Sequence, residues 1–383
     1  MDEKYINLIV NKCVKLQRSK KVFISYNTYN ADFVEKLVEA LKEKGAKEIY
    51  LECKDKDFEH DFLKKSSLEE IEASGYFDES IYNTYALKRA AFIFFDSPIP
   101  GLFNDIEDEK LALVGKIRSE SKQIFRKLET SYKISWTIIP LYNKEWEESL
   151  NIKNLNDKLN SILMLNGNPI VNWENYMTRI GKITKKLNDA RFEELLYENK
   201  NGTNLRIGLP DDYKFSSVAD DKVLVNLPSY EVFTTPHRLK TNGVVYSTKP
   251  LYYNGGVVED FMLEFKDGKV INFKAKKGKK ILESIINMDD NSCYLGETAL
   301  VEFNNPIGKT GIVYKTTLLD ENASCHLALG DGFGQGTKKS QLKRGYNNSK
   351  VHVDFMIGDE NMNITGIKNG EKVPVMKNGR FVI

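Results

Sequence analysis

The sequence has no paired cysteines, no long apolar run and no surplus of one charge. Its four cysteines, Cys13, Cys53, Cys293 and Cys325, lie far apart with no CxxC. That spacing excludes a disulfide framework and a cysteine-zinc site. No apolar stretch approaches the ~18 residues of a membrane helix; the longest are Ala90–Phe95 and Ile134–Leu141. Lys and Arg number 56 against 54 Asp and Glu, a net charge of +2. A partner made of phosphate backbone selects a clear basic excess, so nucleic acid is not expected. The opening segment MDEKYINLIVNKCVK carries acids where a signal peptide carries bases, which points to a cytoplasmic protein with no membrane association. What is present is ample for a core: 383 residues, 41% of them hydrophobic, enough for two or three domains at roughly 150 residues each.

The first half has the texture of an α/β domain. Val22–Tyr26 is a buried-strand pattern. After Asn30, Phe33, Leu37, Val38 and Leu41 recur at helical spacing, and Gly45 supplies a stop. Glu48–Leu51 then restarts a strand, completing a βαβ unit. Ala91–Phe95 and Ser135–Leu141 read as further strands, with Leu111–Leu128 helical between them. The result is an open parallel sheet with flanking helices. The turn after the first strand, NTYNAD, has no glycine to admit a pyrophosphate, which argues against dinucleotide binding and for a non-catalytic domain. Trp173–Arg191 is a long amphipathic helix with Met177, Ile180, Ile183 and Leu187 on one stripe. Beyond it, turn signals multiply. Phe261, Leu263 and Phe265 alternate up to Asp267-Gly268, and Ile271 and Phe273 alternate after it, a hairpin pattern. Lys279–Ile286 is the one helix expected to interrupt this texture. The reading is an α/β N-terminal domain over 1–189 and an α+β C-terminal domain over 190–383.

Histidine is scarce, with four in the chain. His60 sits in the charged stretch KDFEHDF and reads as a surface residue. In VHVDFMIG, His352 and Asp354 are two apart, so a strand presents them on one face. They are either the start of a metal site or a hydrogen-bonded pair in a core. LLDENASCHLALG adds Glu321 and His326; YLGETALVEF adds Glu297; LPSYEVFTTP adds Glu231. The last two are isolated acids among residues that prefer burial, and buried acids are paired or bound to metal. Four carboxylates with two imidazoles exceed one tetrahedral zinc and suit two cations ~3.5–4 Å apart.

These four segments, in this order, resemble the motifs of the aminopeptidase T family of metalloaminopeptidases. The segment Trp173–Tyr213 and, more loosely, the N-terminal βαβ resemble it too. The resemblance implies Glu231, Glu297, Glu321, His326, His352 and Asp354 as ligands of two divalent metal ions, zinc, cobalt or magnesium. It implies hydrolysis of the N-terminal bond of peptide substrates and a homodimer. Glu297 is the expected bridging ligand and proton acceptor. The family's catalytic tyrosine, seven residues after the histidine of the third motif, corresponds to Phe333 here. A phenyl ring donates no hydrogen bond, so either Tyr346 or Tyr230 supplies the hydroxyl or catalysis is weakened. The second reading is therefore a weakened or non-enzymatic metal- or peptide-binding member of the fold. His237, six residues after Glu231 and behind Pro236, is expected not to be a ligand.

Overall fold

The computed structural model describes residues 2–130, 133–220, 223–253, 256–333 and 338–383. The chain divides into two compact units: Met1–Glu174 with Lys222–Pro228, and Asn175–Asp221 with Ser229–Ile383.

The first unit holds a parallel sheet of β1 (Lys21–Asn27), β2 (Glu48–Lys54), β3 (Ala91–Asp96) and β4 (Ser135–Pro140), in the order β2-β1-β3-β4. The crossover from β1 to β2 runs through α1 (Ala31–Glu43), which buries Val34, Leu37 and Leu41. Phe23, Tyr82, Phe92 and Phe125 form an aromatic core beside the sheet. The stretch read as one helix is two, α2 (Asp108–Ser121) and α3 (Gln123–Thr130). Local contacts reward the break at Lys122. The Ser121 carbonyl accepts from Asn83 and its hydroxyl accepts from the Glu79 amide, while Lys122 turns to the Glu79 carboxylate at 2.5 Å. The segment 223–228 returns beside β4, where Ile138 exchanges backbone hydrogen bonds with Val225 and Leu227. No local pattern marks that return in the sequence.

The long helix α4 (Pro169–Ala190) crosses the division between the units, upstream of the boundary near 190 that the change in texture suggests. The second unit is mostly antiparallel sheet. One sheet joins β5 (Glu194–Glu198), β6 (Asn204–Gly208), β9 (Thr241–Tyr246), β10 (Leu251–Tyr253), β11 (Gly256–Lys266), β12 (Lys269–Lys277), β16 (Asn363–Lys368), β17 (Glu371–Lys377) and β18 (Arg380–Phe381). The hairpin read from the sequence is β11–β12, and its turn residues Asp267 and Gly268 both take positive φ. The expected helix Lys279–Ile286, α5, follows. A second sheet runs β15-β14-β13-β8-β7, from β7 (Ser216–Ser217), β8 (Glu231–Thr234), β13 (Leu295–Val301), β14 (His326–Gly330) and β15 (His352–Met356). One face of it packs on the larger sheet: Thr298 shares a 2.5 Å hydrogen bond with Tyr197, and the rings of Phe355 and Phe261 lie 5.7 Å apart. The other face carries the chemistry. Among the described residues no helix is long and apolar enough to cross a membrane.

Candidate metal centre

Residues opposite one another in a sheet share a face, and so do residues two apart in a strand. The observed register therefore decides which side chains meet. Val301 pairs with Glu231 and Ala299 with Phe233. Ala299 also pairs with His326, and Glu297 with Ala328. Asp354 pairs with Ala328 and His352 with Gly330. Glu231, Glu297, His326, His352 and Asp354 thus project from four neighbouring strands onto one face. Ala299, Ala328 and Gly330 lie among them on that face and leave room above the sheet.

The register depends on a bulge at Gly296, where the β13–β14 pairing shifts between Leu295 and Glu297. A Cβ on Gly296 would lie 2.0 Å from the Asp331 carbonyl oxygen. Only glycine allows the approach that puts Glu297 on the site face.

Two groups of ligand-type atoms, each mutually within 4.8 Å, form on this face: Glu231, Glu297 and His326; and Glu297, His352 and Asp354. Glu297 belongs to both. Glu321 ends α6 (Thr317–Glu321) and is outside these tight groups. It still feels the charges of Asp354, Glu231, His326 and Glu297, so it faces the same cluster.

Both imidazoles are oriented by backbone carbonyls. His326 Nδ1 is 2.9 Å from the Glu321 oxygen, and His352 Nδ1 is 2.7 Å from the Asp331 oxygen. Each Nδ1–H donates there, which turns each Nε2 inward. His326 Nε2 lies 3.2 Å from Glu231; His352 Nε2 lies 3.0 Å from Glu297 and 3.3 Å from Asp354. In the neutral ring that nitrogen is a lone pair facing carboxylate lone pairs. A cation, whether proton or metal, must lie between them. A metal-ligating histidine ordinarily donates its other ring N–H to a carbonyl in this way, which fixes the ring and its tautomer.

The charges agree. Burial and the neighbouring carboxylates push Glu297 and Glu321 up, Glu321 strongly. Burial disfavours imidazolium, yet the facing carboxylates outweigh it and raise His326 to about 10 and His352 well above its usual value. Burial would raise Asp354 too, but His352 beside it holds it low. Asp354 Oδ1 is buried 3.3 Å from His352 Nε2 without forming a hydrogen bond to it. A cluster of buried carboxylates that needs imidazolium to balance it, with one oxygen left over, fits divalent cations in its donor set.

Phe333 follows β14, and its amide donates to Thr235 Oγ1 at 2.9 Å. Its ring is 5.4 Å from the His352 ring and 5.1 Å from Phe233, and it is 47% exposed. The position beside the site is thus held by a ring without a hydroxyl. The Tyr346 hydroxyl is engaged by Asp212, 3.0 Å from Oδ1. Tyr230 is buried against Tyr176. His237 is outside the ligand groups; its Nδ1 accepts from the Leu239 amide. His60 lies in the other unit, bound to Asp105 at 2.8 Å and less exposed than its charged surroundings suggest. Sequence reasoning missed Phe233, Thr235 and the Asp331 carbonyl. The first two were findable, since they continue the alternation begun by Glu231.

Residues 2–381 match the family described as thermophilic metalloprotease (M29). The chain is similar to aminopeptidase AmpS of Bacillus subtilis, 32% identical with 98% of this chain and 97% of the relative covered. It is 31% identical to aminopeptidase PepS of Streptococcus thermophilus, with 100% and 98% covered. The solved structure of wild-type AmpT from Thermus thermophilus superposes with a TM-score of 0.90 at 28% identity, covering 100% of this chain and 99% of that one. The fold, the sheet face of carboxylates and imidazoles, and these likenesses converge: the chain belongs to the thermophilic metalloprotease family M29 and is a metal-dependent peptidase.

Proposed function

We propose that this protein is an aminopeptidase with a dinuclear centre, held by Glu231, Glu297, Glu321, His326, His352 and Asp354. The observation that carries the reading is Glu297, common to two ligand groups on one sheet face. A carboxylate so placed could serve two cations, one held with Glu231 and His326 and the other with His352 and Asp354, with Glu321 facing the same cluster. Divalent cations bound there would supply the positive charge that polarises a scissile carbonyl and acidifies water. The chain's own groups do the rest. The Glu321 and Asp331 carbonyls fix both imidazoles, so the ligand atoms need no reorganisation. We assign to Glu297 the transfer of a proton from water to the departing amine. Phe233 and Phe333 offer apolar ring faces beside His352 for the side chain of the N-terminal residue. We also propose a cytoplasmic homodimer. Unpaired cysteines support the compartment, and the family resemblance supports the assembly.

The test uses amino-acyl p-nitroanilides with free and acetylated amines. Hydrolysis should need the free amine, cease after chelation and return with cobalt or zinc. Metal analysis should find two ions per chain. One ion per chain would reject the dinuclear assignment, and equal turnover of acetylated substrate would reject the aminopeptidase.

A further inference from the structure

Glu321 is the candidate ligand whose placement the sheet does not explain. It comes from the end of α6 and not from a strand, and it stands outside both tight ligand groups while facing the same cluster. Among the described residues one hydrogen-bond donor meets its carboxylate: Asn322 Nδ2, 3.4 Å from Oε1. That donor belongs to the next residue in the chain, and its other contacts reach further.

Asn322 is fully buried. Its Oδ1 accepts from the Tyr230 amide at 2.6 Å, across 92 residues of sequence and one residue before Glu231. Its Nδ2 also donates to the Leu318 carbonyl at 3.0 Å, which caps the last turn of α6. These contacts fix which way the amide points. Reversed, it would set N–H against N–H at Tyr230 and oxygen against oxygen at Leu318 and Glu321. The residue is itself held. Its carbonyl accepts from Asn305 Nδ2 at 2.9 Å, and Asn305 Oδ1 accepts from the Ile307 and Gly308 amides at 2.8 and 3.0 Å. On the other side, the Glu321 carbonyl accepts from His326 Nδ1. One side chain therefore joins the turn that carries Glu321 and orients His326 to the strand that begins at Glu231. Neutrality matters as much as reach. An aspartate here would have the same size and could accept from Tyr230. It would also turn a lone pair toward the Leu318 oxygen and Glu321, in a cluster that already holds the carboxylates of Glu231, Glu297, Glu321 and Asp354.

We propose that Asn322 is a positioning residue for the metal centre. Its amide sets the separation between Glu231 and Glu321 and holds the Glu321 carboxylate toward the cluster. Being fully buried, it acts through these two groups and not on a substrate. The assignment rests on the ligand set proposed above.

Chelator competition on the full-length, cobalt-loaded protein tests this, read together with the visible absorption of the bound cobalt and the urea midpoint. Asn322→Ala should bind cobalt at least about tenfold more weakly and shift the cobalt bands. Asn188→Ala is the comparison for lost stability alone. The Asn188 amide likewise holds distant backbone, accepting from the Phe215 N–H at 2.8 Å and donating to its carbonyl at 2.9 Å. Among the described residues it makes no hydrogen bond to a candidate ligand. Asn188→Ala should lower the urea midpoint and leave cobalt affinity and bands as in wild type. Wild-type affinity and bands in Asn322→Ala would overturn the proposal, as would equal weakening in Asn188→Ala. Asn322→Asp, which keeps the Tyr230 bond, covers the case in which Asn322→Ala does not fold. Its cobalt bands should shift too, and bands matching wild type would overturn the proposal. The number of cobalt ions per chain decides the dinuclear reading separately, because the comparison of variants reads the same with one ion or two.

Discussion

Gly296→Ala is a one-carbon change that tests the link between backbone and site. The added Cβ would sit 2.0 Å from the Asp331 carbonyl oxygen and 2.6 Å from that of Gly330. Both are backbone atoms, so no side chain can swing aside. Carbon–oxygen contacts under ~3 Å are not sustained, and the strands must part by about 1 Å. Such overpacking costs about 1–3 kcal/mol. The functional loss should exceed that. The Asp331 oxygen orients His352 through its 2.7 Å bond to Nδ1, and Glu297 is the residue after the substitution. A shift of ~1 Å between Glu297 and His352 should lower kcat/KM about 100-fold. Disturbing the carbonyl that orients His352 should weaken metal binding about 10- to 100-fold. Chelator competition, metal analysis and steady-state kinetics on Leu-p-nitroanilide measure these. Gly115→Ala is the control, because its Cβ meets nothing within 4 Å. It sits in α2, where alanine is favoured by up to about 1 kcal/mol. If Gly296→Ala keeps wild-type metal affinity and kcat/KM while Gly115→Ala behaves as expected, the bulge does not set the site.

His352→Ala should strip metal from the protein whereas His237→Ala should leave metal content intact; equal loss in both would remove His352 from the ligand set. Phe333→Tyr would place a hydroxyl beside His352 where charge develops in the tetrahedral intermediate, raising kcat with little change in KM, by at most about 100- to 1000-fold; an unchanged or lower kcat rejects the equivalence with the family's tyrosine. Glu79 governs acid stability in the first unit: burial would raise it, but Lys54 and Lys122 outweigh burial and hold it at about 2. Its folded pKa is depressed, so its stabilisation is present above about 4.5 and is lost as pH falls from there through about 2, amounting to about 3 kcal/mol. Denaturant titrations of wild type and Glu79→Gln should therefore differ by about that much at pH 7 and converge near pH 2; a gap that persists at pH 2 would refute the assignment.

The strands of the first unit were legible because each is a short β-branched or aromatic run bounded by a turn, and α1 because its apolar residues keep one period. The break in α2–α3 was not legible. Leu111 to Leu128 keeps a helical pattern, and what interrupts it is Glu79, more than 40 residues upstream, drawing on Ser121 and Lys122. The return of 223–228 to β4 was invisible for the same reason, since backbone pairing at long range leaves no periodicity. In the second unit the β11–β12 hairpin could be read because Asp267-Gly268 fixes its register locally.

The site was legible in a different way. Glu231 and Glu297 stood out singly, as charges in runs that prefer burial, and His352 and Asp354 declared a shared face through their spacing. What the residues alone could not say is how Glu231, Glu297, His326, His352 and Asp354, spread over four strands, come to one face. The register answers it. Three of the four strands carry an apolar neighbour two residues from the charged group, Phe233 beside Glu231, Ala299 beside Glu297 and Ala328 beside His326, and on the fourth His352 lies opposite Gly330. A face so built has charge standing on a floor too low to fill the space between the charges. Larger residues at Ala299 or Ala328 would occupy the volume cations need while leaving every ligand in place. The small residues Ala299, Ala328 and Gly330 are therefore as much a part of the candidate site as the proposed ligands are.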